Sequence, residues 1–123
     1  MQKPNNIPQT YLNEIIIKIL DDSSYTQFKN EIRGNIMDVA RGVAFKNKIV
    51  VPYWAYKPHH PKNIKTNGGY FIYYVAHELA HIIAYKKFGV ACGHDSNFYA
   101  VFLEICPKEY QHFELEYKKT ETY

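Results

Sequence analysis

Apolar positions recur at helical spacing near the start of the chain. Tyr11, Leu12, Ile15, Ile16, Ile19 and Leu20 share one face of a helix predicted over residues 10–21, with Thr10 as its N-cap after Pro8. Asp21, Asp22, Ser23 and Ser24 end it, and the stretch to Arg33 follows no clear period. From Asn35 to Trp54 the β-branched and aromatic content rises. Phe45, Lys46, Asn47 and Lys48 separate the apolar residues 42–45 from 49–51 as a hairpin turn would, so two or three short antiparallel strands are expected. Pro52, Pro58 and Pro61 each lack the amide hydrogen that a helix interior or central strand requires, which predicts a loop over 55–67.

A long helix is predicted next, over 68–88. Phe71, Ile72, Val75, Ala76, Leu79, Ala80, Ile82 and Ile83 nearly encircle it, the pattern of a helix packed on several sides. Lys86 and Lys87 suit its last turn, and Gly89 suits a left-handed C-cap. A further helix is expected to start at Asp95 or Ser96, to bury Phe98, Val101, Phe102 and Ile105, and to stop at Pro107. Residues 112–118 alternate with period 2, which predicts a last strand with Phe113, Leu115 and Tyr117 inward. Together these elements describe one small α+β domain spanning residues 1–123.

Composition narrows the class. With 123 residues, 46% hydrophobic and 22% charged, the chain is ordinary for a globular domain. The aliphatic run 15–20 contains Lys18 and is far short of the ~20 residues that span a bilayer, so no membrane segment is expected. A polar N-terminus without a following apolar stretch argues for a cytoplasmic protein, and Cys92 and Cys106 are too few for a disulfide scaffold. The formal charge of +3 hides an asymmetry. No acid occurs between Val39 and His77, whereas Arg41, Lys46, Lys48, Lys57, Lys62 and Lys65 do; Glu104, Glu109, Glu114, Glu116 and Glu121 load the C-terminal stretch. Because Tyr53, Trp54, Tyr56, His59 and His60 are interleaved with those cations, the segment 41–65 is compatible with contact to DNA.

Chemistry concentrates in His77-Glu78-Leu79-Ala80-His81, an HExxH pattern inside the long helix. Histidines at i and i+4 project from one face and can reach one tetrahedral metal ion, while the intervening glutamate is placed to handle the proton of a metal-activated water. Such a site needs a third protein ligand. A glycine three residues and a histidine six residues past His81 would mark a metzincin, but those positions are Ala84 and Lys87. Ligand preference and position favour His94, beyond the Gly89 turn; Glu104, Asp95 and Cys92 are the alternatives. For a transition-state donor the chain offers Tyr70, Tyr74, Tyr85, Tyr110, His112 and Tyr117, and none stands out.

The HExxH residues, followed by Gly93-His94-Asp95 and Phe98, resemble the SprT-like (Spartan-type) zinc metalloproteases over residues 70–106, and the chain's length is similar to short bacterial and phage members. The resemblance implies a minimal zincin-like fold, Zn2+ held by His77, His81 and His94, Glu78 as general base and acid, and a protein or peptide substrate, in some members DNA-associated. Asp95 departs from the family's usual second glycine. A second resemblance, to ImmA/IrrE-type peptidases around Asn97, Phe98, Tyr99 and Ala100, implies an acidic third ligand, which would be Asp95. The expected activity is metallopeptidase chemistry. A zinc-stabilised module that binds nucleic acid or protein without catalysis is the alternative.

Overall fold

The computed structural model describes residues 6–89 and 93–120, with side chains described for 9–89 and 93–116. In chain order the elements are α1 (Asn6–Asp21), a 3-10 turn (Thr26–Phe28), β1 (Arg33–Met37), β2 (Val43–Phe45), β3 (Lys48–Pro52), α2 (Tyr53–Tyr56), α3 (Pro61–Thr66), α4 (Gly69–Phe88), α5 (Ser96–Ile105), a second 3-10 turn (Lys108–Tyr110) and α6 (His112–Thr120). The class is α+β, as expected, and no helix among the described residues is long and apolar enough to cross a membrane.

The apolar face of α1 behaves as its spacing demands: Leu12, Ile15, Ile16, Ile19 and Leu20 are buried. The helix begins a turn before the expected Thr10 cap, at Asn6. That extra turn has a purpose in the fold. Gln9 exchanges two hydrogen bonds with the backbone of Ile36 (3.0 and 2.7 Å), and Asn13 does the same with Gly34 (3.2 and 2.9 Å). Side-chain amides one helical turn apart thus stand in for a neighbouring strand and close the outer edge of β1.

Three strands form, in the order β1-β3-β2. The hairpin between β2 and β3 is antiparallel as expected, turning through Lys46 with φ 55°. The pairing of β1 with β3 is instead parallel and longer, running from Arg33 opposite Lys48 to Met37 opposite Pro52, so the sheet is mixed rather than mainly antiparallel. Burial decides the order. Ile49 and Val51 of β3 are fully buried, whereas Val43 and Phe45 of β2 are exposed, so β3 takes the centre and β2 the edge.

Two further expectations fail. The proline-rich stretch 55–67 is not a loop throughout, because Pro61 sits in the first turn of α3, where its missing amide hydrogen costs nothing, and His60 caps that helix by accepting from Lys62 N–H at 3.2 Å. Asn63 ties the segment to α4, donating to the carbonyls of Ala55 and Lys57 (2.8 and 3.0 Å) and accepting from Phe71 N–H (2.9 Å). The expected strand over 112–118 is the helix α6. Phe113 and Glu114, neighbours in sequence, are both buried while Leu115 is exposed, and consecutive burial is incompatible with a pleat whose side chains alternate. Gln111 docks the start of this helix by donating to the carbonyls of Leu103 and Cys106 (3.1 and 2.9 Å).

The long α4 lies at the centre. Tyr73, Val75, Ala76, Leu79, Ala80, Ile83 and Ala84 are buried around its circumference, against α1, the sheet and α5. Gly89 ends it with φ 79°, its N–H donating to Tyr85 at 2.8 Å, a left-handed cap that a side chain would strain. Asp95 caps α5 through Phe98 N–H (3.0 Å), and Phe98, Val101, Phe102 and Ile105 bury against α4.

Candidate metal centre

On α4, His77 and His81 lie one turn apart with ring centroids 5.2 Å from each other. His94, held between the end of α4 and the Asp95 cap, brings its ring to 5.0 Å from both. Behind all three stands the fully buried Phe98, its ring 4.6 Å from that of His81 and 5.1 Å from those of His77 and His94. The core side of the cluster is therefore closed to water by an aromatic ring.

Donor atoms of the three imidazoles lie within 4.8 Å of one another, so the cluster can hold a metal ion. His77 Nε2 and His94 Nε2 are 3.2 Å apart. Two nitrogens bound at ~2.0–2.1 Å to one tetrahedral zinc would sit about 3.3–3.4 Å apart, so this pair already has the bite such an ion requires. Without a metal, one of these nitrogens can carry a proton and donate to the other; a shared cation would take that proton's place.

His77 is oriented by a residue that motif reading missed. Its Nδ1 lies 2.7 Å from Glu114 Oε1, with both side chains buried. Tyr73 donates its hydroxyl to the same oxygen at 2.9 Å, and Tyr99 approaches the other at 3.4 Å. A carboxylate there fixes Nδ1 as the protonated nitrogen and leaves the Nε2 lone pair facing the cluster. In the sequence Glu114 is one of the acids of the C-terminal stretch. The signal that could have found it is a glutamate beside Phe113 on a helix that returns to the site, which a strand reading hid.

Glu78 is buried beside the triad, and no hydrogen bond holds its carboxylate among the described residues; it fronts a cleft of about 830 Å³. Burial pushes its pKa up to about 7, with His77 opposing the shift and Glu114 adding to it. Gly42, at the entry to β2, lies against this carboxylate: a Cβ there would come within 2.6 Å of Glu78 Oε2 and of the Tyr74 ring. Gly42 N–H donates to the Tyr74 hydroxyl at 3.0 Å, which pins the edge of the sheet to α4 one turn before Glu78.

The other candidates are elsewhere. Glu104 accepts from the backbone N–H and hydroxyl of Ser24, which hold its carboxyl below the usual range, and it is no part of the cluster. Asp95 is spent on the α5 cap, and Cys92 lies outside the described residues. Cys106 is a buried thiol, pushed up to about 12 mainly by burial. Of the possible donors, Tyr74, Tyr85 and Tyr70 line the cleft, Tyr110 packs on Gly69, His112 lies against Phe113, and the side chain of Tyr117 is outside the described residues. His60 stacks on Tyr70 at 5.0 Å, whereas His59 is exposed. No family model, characterised protein or solved structure matches the chain, so what it can do follows from these residues.

Proposed function

We propose that the protein is a zinc-dependent metallopeptidase of zincin-like build, with His77, His81 and His94 as metal ligands and Glu78 as the group that moves the proton. One observation carries this reading: three imidazoles, two from α4 and one from the connection to α5, converge beside a buried carboxylate that makes no hydrogen bond among the described residues and opens on a cleft. When bound, zinc would supply Lewis acidity toward a peptide carbonyl and toward water. The chain's own groups do the rest. Glu114 keeps the His77 ring in one tautomer and one orientation. Phe98 excludes water from behind the triad. Glu78, buried beside the triad and open to the cleft, can accept the proton of the attacking water and pass it to the departing amine nitrogen as the C–N bond breaks.

The alternative is a zinc-stabilised binding module. A structural site is ordinarily closed by four protein ligands, and the cluster has three among the described residues. A buried carboxylate facing a cleft also has no task in a structural site. The two readings separate in one experiment. Glu78→Gln should retain one zinc per chain and lose cleavage of an unfolded protein such as casein, while His94→Ala should lose the metal. Cleavage by Glu78→Gln at the wild-type rate would refute the mechanism, and full zinc binding by His94→Ala would refute the ligand set.

DNA contact through residues 41–65 belongs to this proposal as an optional partner. Its cations do not form one surface: Lys57 lies over the Tyr53 ring, and Lys62 pairs with Glu116 at 3.2 Å, while Arg41 and Lys46 line the cleft. Binding to a DNA duplex that falls steeply with salt would add the partner, and flat or absent binding at low salt would remove it.

A further inference from the structure

The cleft carries a substrate signature of its own, which deepens the peptidase reading and rests on it. Of the ten large hydrophobic side chains exposed among the described residues, four line this one cleft: Val43, Phe45, Trp54 and Tyr85, at 53, 66, 37 and 53% exposure. Clustering of that kind marks a surface that is covered in use. Val43 and Phe45 alternate with Ala44, which packs on the core, so both point to the same exposed side of β2. The other edge of the sheet is closed by Gln9 and Asn13.

Charge adds a second requirement. Arg41 precedes β2 and Lys46 follows it in the hairpin turn, so the two cations stand at opposite ends of this edge strand. Neither forms an ion pair among the described residues; the Lys46 ammonium lies instead over one face of the Phe45 ring, 5.4 Å from its centroid, where a carboxylate at the mouth could still reach it. Among the described residues, Glu78 is the only carboxylate lining the cleft, deep beside the triad. A mouth with two cations that have no carboxylate partner, around an aromatic floor, suits an occupant that is apolar in the middle and acidic on either side.

We propose that this cleft selects extended polypeptide segments in which an aromatic or large aliphatic residue is flanked by acidic residues, the apolar side chain seated against Val43, Phe45 and Tyr85 and the acids drawn to Arg41 and Lys46. The contacts are solvent-exposed, so each pair contributes little, but exchanging two attractions for two repulsions changes affinity by roughly tenfold.

The test uses full-length Glu78→Gln, zinc-loaded and metal-stripped, and fluorescein-labelled nonapeptides read by fluorescence anisotropy. A Phe-centred peptide with flanking Glu residues should bind about tenfold tighter than its Lys-flanked counterpart, and more tightly than the Glu-flanked peptide with Ala in place of Phe. The double substitution Arg41→Glu with Lys46→Glu should reverse the charge preference, and Phe45→Ser should weaken binding of the Phe peptide while leaving the Ala peptide unchanged. All three positions are exposed, so the fold tolerates these changes. Equal affinities, an unreversed preference, no binding at millimolar peptide, or tighter binding of a single-stranded oligonucleotide that displaces the peptide would each overturn the proposal. Wild-type zinc-loaded protein is assayed for cleavage of the same peptides. Selective binding without cleavage would count against the peptidase reading alone, and cleavage without selectivity against the substrate signature alone.

Discussion

Replacing Glu114 with Gln isolates what the buried carboxylate does for the metal centre. Glu114 Oε1 accepts from His77 Nδ1 at 2.7 Å and from the Tyr73 hydroxyl at 2.9 Å. An amide oxygen in the same place can accept both, so shape and hydrogen-bond count are kept while the charge is removed. A charge-assisted hydrogen bond contributes about 1.5–3 kcal/mol, against about 1 for a neutral one. Carboxylates that orient a ligating histidine ordinarily change metal affinity by about 10–100-fold, or about 1.4–2.8 kcal/mol. The two figures overlap, and Glu114→Gln should therefore raise the zinc dissociation constant by about 10–100-fold. Competition with a chromophoric chelator at pH 7.5 measures this, with circular dichroism and a thermal melt of the metal-stripped variant to establish that it folds. Glu114→Ala, which also removes the oxygen that Tyr73 and His77 share, should weaken zinc further. A folded Glu114→Gln variant with zinc affinity within threefold of wild type would refute the claim that the carboxylate tunes His77 and would reduce Glu114 to a packing residue.

Two more outcomes follow from the same wall of the cleft. The raised pKa of Glu78 lies above the ordinary value of 4.5, so the folded metal-stripped protein binds more protons than the unfolded chain between pH 4.5 and about 7, and stability is lost as pH rises through that window. Glu78→Gln should match wild type near pH 4.5 and exceed it by roughly 3 kcal/mol at pH 8, at about 1.4 kcal/mol per unit; urea unfolding with EDTA present checks this, and a pH-independent difference would contradict it. Gly42→Ala places a methyl within 2.6 Å of Glu78 Oε2 and the Tyr74 ring. Overpacking of this kind costs about 1–3 kcal/mol, and displacement of the carboxylate should lower kcat at least tenfold while leaving zinc content at one per chain; an unchanged kcat would mean that the carboxylate's position is not critical.

What the chain discloses before folding depends on how far its parts must reach. His77, Glu78 and His81 are placed relative to one another by one turn of helix, so spacing alone puts both imidazoles on one face. His94 was legible for a similar reason: it stands between a glycine cap and an aspartate cap, both of which act within a few residues. The misread elements are those whose state is set by distant partners. The alternation of residues 112–118 suits a strand, but Gln9 and Asn13 close one edge of the sheet, and burying Phe113 with Glu114 requires a helix. The prolines of 55–67 suggest a loop, yet one of them begins a helix that Asn63 ties to α4.

By itself, then, the sequence determined the α+β class, the central helix, its glycine C-cap and the metal-ligand candidates, because helical period and capping are local. Only the tertiary structure decided the parallel pairing of β1 with β3, the placement of Glu114 behind His77 across 37 residues, and the gathering of Arg41, Phe45, Tyr85 and Glu78 around one cleft. Those arrangements depend on which surfaces are removed from water together, a sum over the whole fold that no local pattern contains.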